Sequence, residues 1–209
     1  MKIDAKYLDK IWITSDSHYS HKNLCKGTTG WDLSKYSDVG STLPVRDFPT
    51  LEDMNYKIVD NINQTVPSDG ILIHLGDWSF GGEDKVMTFY HRLTARHLYI
   101  IKGNHDQHVH KYIEEMNRTG CVNMFDYLEL EIGKLQFCLF HYPIVSWNHI
   151  RRGSYQLHGH QHHVGDLRFG NGRQMDVGMD GNNLFPYKLI DVIDLLKDRK
   201  FIAGNGDHH

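Results

Sequence analysis

Short apolar runs alternate with polar stretches along the chain, and the spacing changes character partway. Ile11-Trp12-Ile13-Thr14 is a β-branched run that predicts a buried strand. Leu51 to Val66 carries Leu51, Met54, Ile58 and Ile62 at helical spacing, with Val59 and Val66 beside them. Thr50 is its N-cap, and Asp53 three residues on resembles a capping box. After the turn Pro67-Ser68-Asp69-Gly70, Ile71 to Leu75 predicts a second buried strand, Asp84 to Thr94 a helix, and His97 to Ile101 a third strand. Such alternation argues for an α/β architecture with some parallel pairing. A helix is expected around Gln107 to Asn117. Tyr127 to Ile132 and Leu135 to Phe140 then flank Gly133-Lys134, a β-hairpin signal that opens an antiparallel section. Tyr155 to His158 and Arg173 to Val177 predict further strands, while Tyr187 to Leu196 fits either a strand or a short helix.

Between these elements, Cys25 to Thr50 has no sustained period and reads as a long loop, a length that compact domains usually reserve for function or disorder. The 209 residues show no internal repeat and no linker. They are expected to form a single domain over 1–209, with a loop insertion at about 25–50 and a frayed tail from Asn205 to His209.

Composition narrows the classes. A formal net charge of -3 lacks the basic bias of a polyanion binder, so strong bulk nucleic-acid binding is not expected. Three cysteines, Cys25, Cys121 and Cys138, are too few and too scattered for a disulfide scaffold or a cysteine zinc site. Reduced thiols, no apolar signal run in Met1 to Lys10 and no membrane-length apolar segment make a cytoplasmic protein, without membrane association, the expectation. The unusual figure is 16 histidines. Four of them lie in Leu157-His158-Gly159-His160-Gln161-His162-His163, where an extended segment would send His160 and His162 to the same side. Neutral imidazole is the commonest protein metal ligand.

Polar residues that suit a metal also follow other strands. Ser15-Asp16-Ser17-His18 follows the first, Gly76-Asp77 the second, Gly103-Asn104-His105-Asp106 the third, His141 the hairpin, and Gly159-His160-Gln161-His162 the next strand. Strand exits are where open α/β folds place their sites. Any one of these motifs is weak, but all five in this order form a specific signature. It resembles the calcineurin-like metallophosphoesterase family over about residues 11–163.

The resemblance implies a four-layer α/β/β/α sandwich of two stacked mixed sheets, with the motif loops gathered at one edge. It implies two divalent metal ions, which in two-metal hydrolases sit about 3.5–4 Å apart and clamp the attacking and leaving oxygens. Asp16, His18, Asp77 and His162 would hold the first and Asn104, His141 and His160 would complete the second, with Asp77 bridging. A mixed carboxylate and imidazole set suits manganese best, with iron, zinc or nickel as alternatives to it, and suits magnesium or calcium poorly. A bridging hydroxide would attack phosphorus, and His105 would protonate the leaving oxygen as general acid. Asp106 would orient His105 or serve as a carboxylate at a helix N-terminus. The second motif lacks the Val-Asp-Arg-Gly continuation of the Ser/Thr protein phosphatases, reading Gly76-Asp77-Trp78-Ser79-Phe80 instead. The chain looks more like the compact bacterial and phage phosphodiesterases, whose Asp-x-His-x-x-His-x-Asn opening Asp16 to Asn23 resembles.

His21 and Asn23 therefore either face the site or belong to a solvated loop. Arg151 and Arg152 either meet a substrate phosphate or stay on the surface. The 25–50 loop, with Trp31, Tyr36, Arg46 and Phe48, either walls the substrate or packs against the fold. His74 is expected to pack within its strand. The expected activity is hydrolysis of a small or nucleotidic phosphate diester. A phosphomonoesterase and a non-catalytic interaction protein on the same fold are the alternatives, and the absence of His-Glu-x-x-His argues against a zinc protease.

Overall fold

The computed structural model describes residues 1–36 and 45–203. Two five-stranded sheets are stacked against each other. The first runs in the order β1 (Lys2–Ile3), β6 (Leu128–Ile132), β7 (Leu135–Leu139), β8 (Tyr155–His158), β9 (Gln174–Asp176). The second runs β10 (Tyr187–Lys188), β2 (Ile11–Thr14), β3 (Ile71–His74), β4 (His97–Ile101), β5 (Cys121–Phe125). Both are mixed: β6 and β7 form the antiparallel hairpin, β7, β8 and β9 are parallel, and β2 to β5 are parallel with β10 antiparallel at the edge. These are the stacked mixed sheets with flanking helices that the resemblance implied.

Period-two alternation builds the two cores. Ile11, Ile13, Ile73 and Leu75 point between the sheets, where they meet Leu130, Phe137, Leu139 and Leu157. Trp12, Leu72, Leu98 and Ile100 point the other way, onto Met54, Ile58 and Ile62 of α1 (Leu51–Thr65) and Phe89 and Tyr90 of α2 (Glu83–Arg92). Buried on both faces, β2 and β3 read as continuous apolar runs. At the start of α1 the Asp53 amide donates to Thr50 Oγ1 at 3.1 Å, the cap the sequence implied.

Several elements depart from expectation. The helix expected over Gln107 to Asn117 is a 3-10 turn, Val109–Tyr112, followed by the single-turn α3 (Ile113–Met116). The Tyr187 to Leu196 segment is strand and helix in succession, β10 and then α4 (Leu189–Leu196). The sequence reading contained neither β1 nor β5. Both are edge strands, and in β5 Cys121 and Asn123 are exposed, Met124 and Phe125 half-buried and only Val122 fully inside, so it carries no buried run. Residues 37–44 of the long loop and the Asn205 to His209 tail lie outside the described residues. No helix among the described residues is long and apolar enough to cross a membrane.

Candidate metal centre and its supporting residues

Parallel pairing places the C-terminal ends of β2, β3 and β4 on one edge of the second sheet, and the ends of β7 and β8 meet that edge from the first. The five motifs leave these ends, so the fold gathers residues as far apart as Asp16 and His162. Two clusters result, Asp16 with His18 and His162, and Asp16 with Asp77 and His141, each with ligand atoms within 4.8 Å of one another. Asp77 stands between the histidines of both: its Oδ2 lies 3.4 Å from His18 Nε2 and 3.6 Å from His141 Nε2. Asn104 Oδ1 lies 2.9 Å from His141 Nε2 and 3.0 Å from His160 Nδ1. All seven residues named as ligands in the sequence are thus brought together.

The backbone is distorted to achieve this. Asp16, His18, Asp77, His160 and His162 all have positive φ, between 45° and 72°. For non-glycine residues such a conformation is uncommon and costs on the order of 1–3 kcal/mol each, and such outliers cluster at functional sites. Two motif glycines have a separate reason. A Cβ on Gly103 would collide with Asp77, and one on Gly159 with Ser15 Oγ and Asp16. The strand exits approach too closely for any side chain there.

Hydrogen bonding shows that the donor set fits a cation. His141 Nδ1 donates to the Leu75 carbonyl at 2.8 Å, which leaves Nε2 as an acceptor. That acceptor faces two others, Asn104 Oδ1 and Asp77 Oδ2. His162 Nδ1 donates to Asp180 Oδ2 at 2.6 Å, so its Nε2 lone pair points at Asp16 Oδ1, 3.7 Å away, and at His18 Nε2, 3.2 Å away. Acceptors converging without donors are reconciled by a positive charge. Burial works against a positive charge on His162, but the Asp16 and Asp180 carboxylates raise its pKa to about 9. Burial holds His18 and His141 neutral, the form that ligates.

Behind the ligands sits a network that the sequence reading missed. Arg46, fully buried, donates through Nε to Asp180 Oδ1 at 2.7 Å and through Nη2 to Asp180 Oδ2 at 3.2 Å. The same guanidinium donates to the carbonyls of Asp16 at 2.7 Å and Ser17 at 3.0 Å. Burial alone would raise the Asp180 pKa, but Arg46 and His162 bring it down to about 2. Asp180 follows β9 as the other carboxylates follow their strands, a signal available in the sequence. Arg46 had none. An Asp180–His162 pair of this kind orients a ligating imidazole, and losing such a partner typically costs about 10–100-fold in metal affinity. Asp180→Asn should show that loss in a calorimetric Mn²⁺ titration. Asp180→Ala, which strands a buried guanidinium, should in addition lower unfolding stability by about 3–5 kcal/mol in urea.

Other expected roles are corrected. Asp106 does not orient His105 through its carboxylate. Fully buried, it accepts from the backbone amides of Asp77, Trp78 and Gly103, each at 2.8 Å, tying the second and third motif loops together. Burial raises its pKa to about 6 despite those bonds. His105 is instead placed by its own amide, which donates to Asp77 Oδ1 at 3.0 Å, and its exposed ring lies beside those of His18 and Phe80. His21 does border the site, its ring 5.3 Å from that of His18. Asn23 faces the loop, where its Oδ1 accepts from the Gly30 amide at 3.1 Å. Arg151 and Arg152 precede β8, whereas the histidine motif follows it, so the strand holds them at its far end. They line a separate cleft with Arg173 and Phe201. His74 packs as expected and is also hydrogen-bonded to Ser17 Oγ beneath the first motif. In the long loop, Phe48 packs on the core, Arg46 serves the buried network, and Trp31 approaches His21 with ring centroids 5.9 Å apart.

The chain belongs to the calcineurin-like phosphoesterases, whose family model matches residues 9–177. It is 24% identical over 203 residues to an uncharacterised protein of Methanocaldococcus jannaschii, covering 95% of this chain and 97% of that one. A crystal structure of a protein of unknown function from Aquifex aeolicus superposes with a TM-score of 0.58 at 18% identity, covering 88% of this chain and 98% of that one. A solved archaeal phosphodiesterase superposes with a TM-score of 0.45 at 20% identity, over 80% and 82% of the two chains.

Proposed function

We propose that the protein is a phosphodiesterase that uses two divalent metal ions, manganese favoured, to hydrolyse a small or nucleotidic phosphate ester. The observation that carries this reading is the position of Asp77, whose Oδ2 lies between His18 of one cluster and His141 of the other. Asp16, His18, Asp77 and His162 would hold one cation, and Asp77, Asn104, His141 and His160 the other. When bound, such cations polarise phosphoryl oxygens and make water acidic enough to supply a nucleophile near neutral pH. The chain's own contribution is placement. Asp77 Oδ1 fixes the backbone of His105, whose exposed ring would deliver a proton to the leaving oxygen.

A singly charged diester suits the site better than a doubly charged monoester. The arginine held within the motif loops, Arg46, is buried and committed to Asp180 and to carbonyls. Arg151 and Arg152 stand at the far end of β8. The test is hydrolysis by Mn²⁺-loaded protein of bis(p-nitrophenyl) phosphate against p-nitrophenyl phosphate. Faster cleavage of the diester is expected. Faster cleavage of the monoester would make the protein a phosphomonoesterase. No cleavage of either with Mn²⁺, Fe²⁺, Zn²⁺ or Ni²⁺ would favour a non-catalytic role.

A further inference from the structure

A cleft of about 320 Å³ opens directly beside His105, lined by Phe80, Gly81, Gly82, Val86, His105 and Val109 among others. That volume falls at the small end of the ~300–1,000 Å³ usual for small-molecule sites. The cleft and the metal centre share Asn104 and His105, so one ligand can span both. Its wall is unlike the centre it adjoins. Among the described residues lining it there is no carboxylate, lysine or arginine. The segment Gly81-Gly82 contributes only backbone to the wall. Glu83, just outside the lining, is engaged by Lys111 at 2.7 Å and lies 3.2 Å from His108 Nδ1, so its charge is met by neighbours.

Phe80 gives the cleft its chemistry. The residue is 38% exposed although Ser79 before it is buried. Its ring is wedged between two histidines, edge-on to His21 with centroids 4.1 Å apart and tilted 70° to His105 at 5.2 Å. Those contacts hold the ring beside His105 while part of its surface stays uncovered. An aromatic face held in this way offers stacking at little further cost in side-chain entropy.

From these observations we infer that the cleft receives the leaving group of the ester, and that this group carries an uncharged aromatic ring, as a nucleobase or an aryl ester does, stacked on Phe80. The inference rests on the phosphoesterase reading above. In an in-line displacement the leaving group departs opposite the attacking oxygen, and the residue that protonates it must stand on that side. His105 is that residue, and the cleft lies immediately beyond it. A charged or heavily hydrated leaving group would be desolvated against Val86, Val109 and Phe80 with no carboxylate, lysine or arginine in the wall, and the proton of His105 goes to the leaving oxygen. A flat neutral ring loses little hydration there and gains the stack.

The test uses phosphonates, which resist hydrolysis, so that binding is read apart from turnover. Phenylphosphonate and methylphosphonate carry the same anionic head and differ in the ring. Calorimetric titration of the Mn²⁺-loaded protein should show phenylphosphonate binding about 10-fold or more tightly, in line with the roughly 1–3 kcal/mol of a base stacked on an aromatic side chain. In Phe80→Ala, whose site is at the rim, that ratio should fall to about twofold or less. Phe80→Leu, which keeps apolar bulk without an aromatic face, should give an intermediate ratio if stacking contributes. Equal affinities in the unaltered protein, or a preference that Phe80→Ala leaves intact, would overturn the assignment of the cleft. Failure of the underlying reading looks different: bis(p-nitrophenyl) phosphate would go uncleaved while the two phosphonates were still discriminated.

Discussion

Asp77→Ala is expected to empty both metal positions together and to abolish hydrolysis. The side chain is 3% exposed, and each of its oxygens has a distinct task. Oδ2 faces His18 and His141, one from each cluster, while Oδ1 accepts from the His105 amide. Asp16 also belongs to both clusters, but its Oδ1 lies 3.9 Å from His18 Nε2, farther than Asp77 Oδ2 at 3.4 Å. His18→Ala or His141→Ala should therefore reduce bound manganese by about one equivalent, and Asp77→Ala by about two. Metal content measured by mass spectrometry after dialysis against limiting Mn²⁺ separates these outcomes. Asp77→Asn is the companion variant, because it keeps the shape and the Oδ1 acceptor while removing the charge that offsets two cations. Circular dichroism on both variants reports whether the fold is retained. Full metal occupancy in a folded Asp77→Ala protein would remove Asp77 from the bridging position.

The candidate metal centre was legible in the sequence because its chemistry restricts residue type and its fold restricts residue place. Candidate carboxylate, amide and imidazole ligands gather where strands end, and Asp16, Asp77, Asn104, His141 and His160 each follow an apolar run within a few residues. What was not legible depends on contacts distant in sequence. Arg46 and Asp180 are separated by 134 positions, and nothing local to Arg46, in a loop without period, points inward. Asp106 looked like a partner for its neighbour His105. The loop instead turns its carboxylate onto three amides, a better solution for a buried charge than one imidazole. For Arg151 and Arg152 the sequence leaves two readings open, a substrate phosphate or the surface, and both side chains are exposed. A strand of four residues intervenes, and at about 3.3 Å per residue it holds them roughly 13 Å from the histidine motif at its other end. The edge strand β5 escaped for the opposite reason: two of its five residues are exposed and only one is buried, so the pattern that reveals a buried strand is missing.

His105→Ala should behave unlike any ligand substitution. Among the described residues the His105 ring makes aromatic contacts with His18 and Phe80 but no side-chain hydrogen bond, and it is exposed at the mouth of the site. Its backbone, by contrast, is pinned by Asp77 Oδ1, and alanine keeps that amide. Bound manganese should therefore stay at its original level while turnover falls, by about 10²–10⁴-fold as is usual for a general acid or base. The size of the loss should depend on the leaving group. A nitrophenolate departs without a proton, so bis(p-nitrophenyl) phosphate should be cleaved only modestly more slowly. A diester with an alkyl or ribosyl leaving group needs the proton and should show the full effect. A plot of log kcat against leaving-group pKa is the measurement, and the variant should have the steeper slope. If the slope is unchanged and all esters lose activity equally, His105 acts by holding the phosphate and not by protonating it.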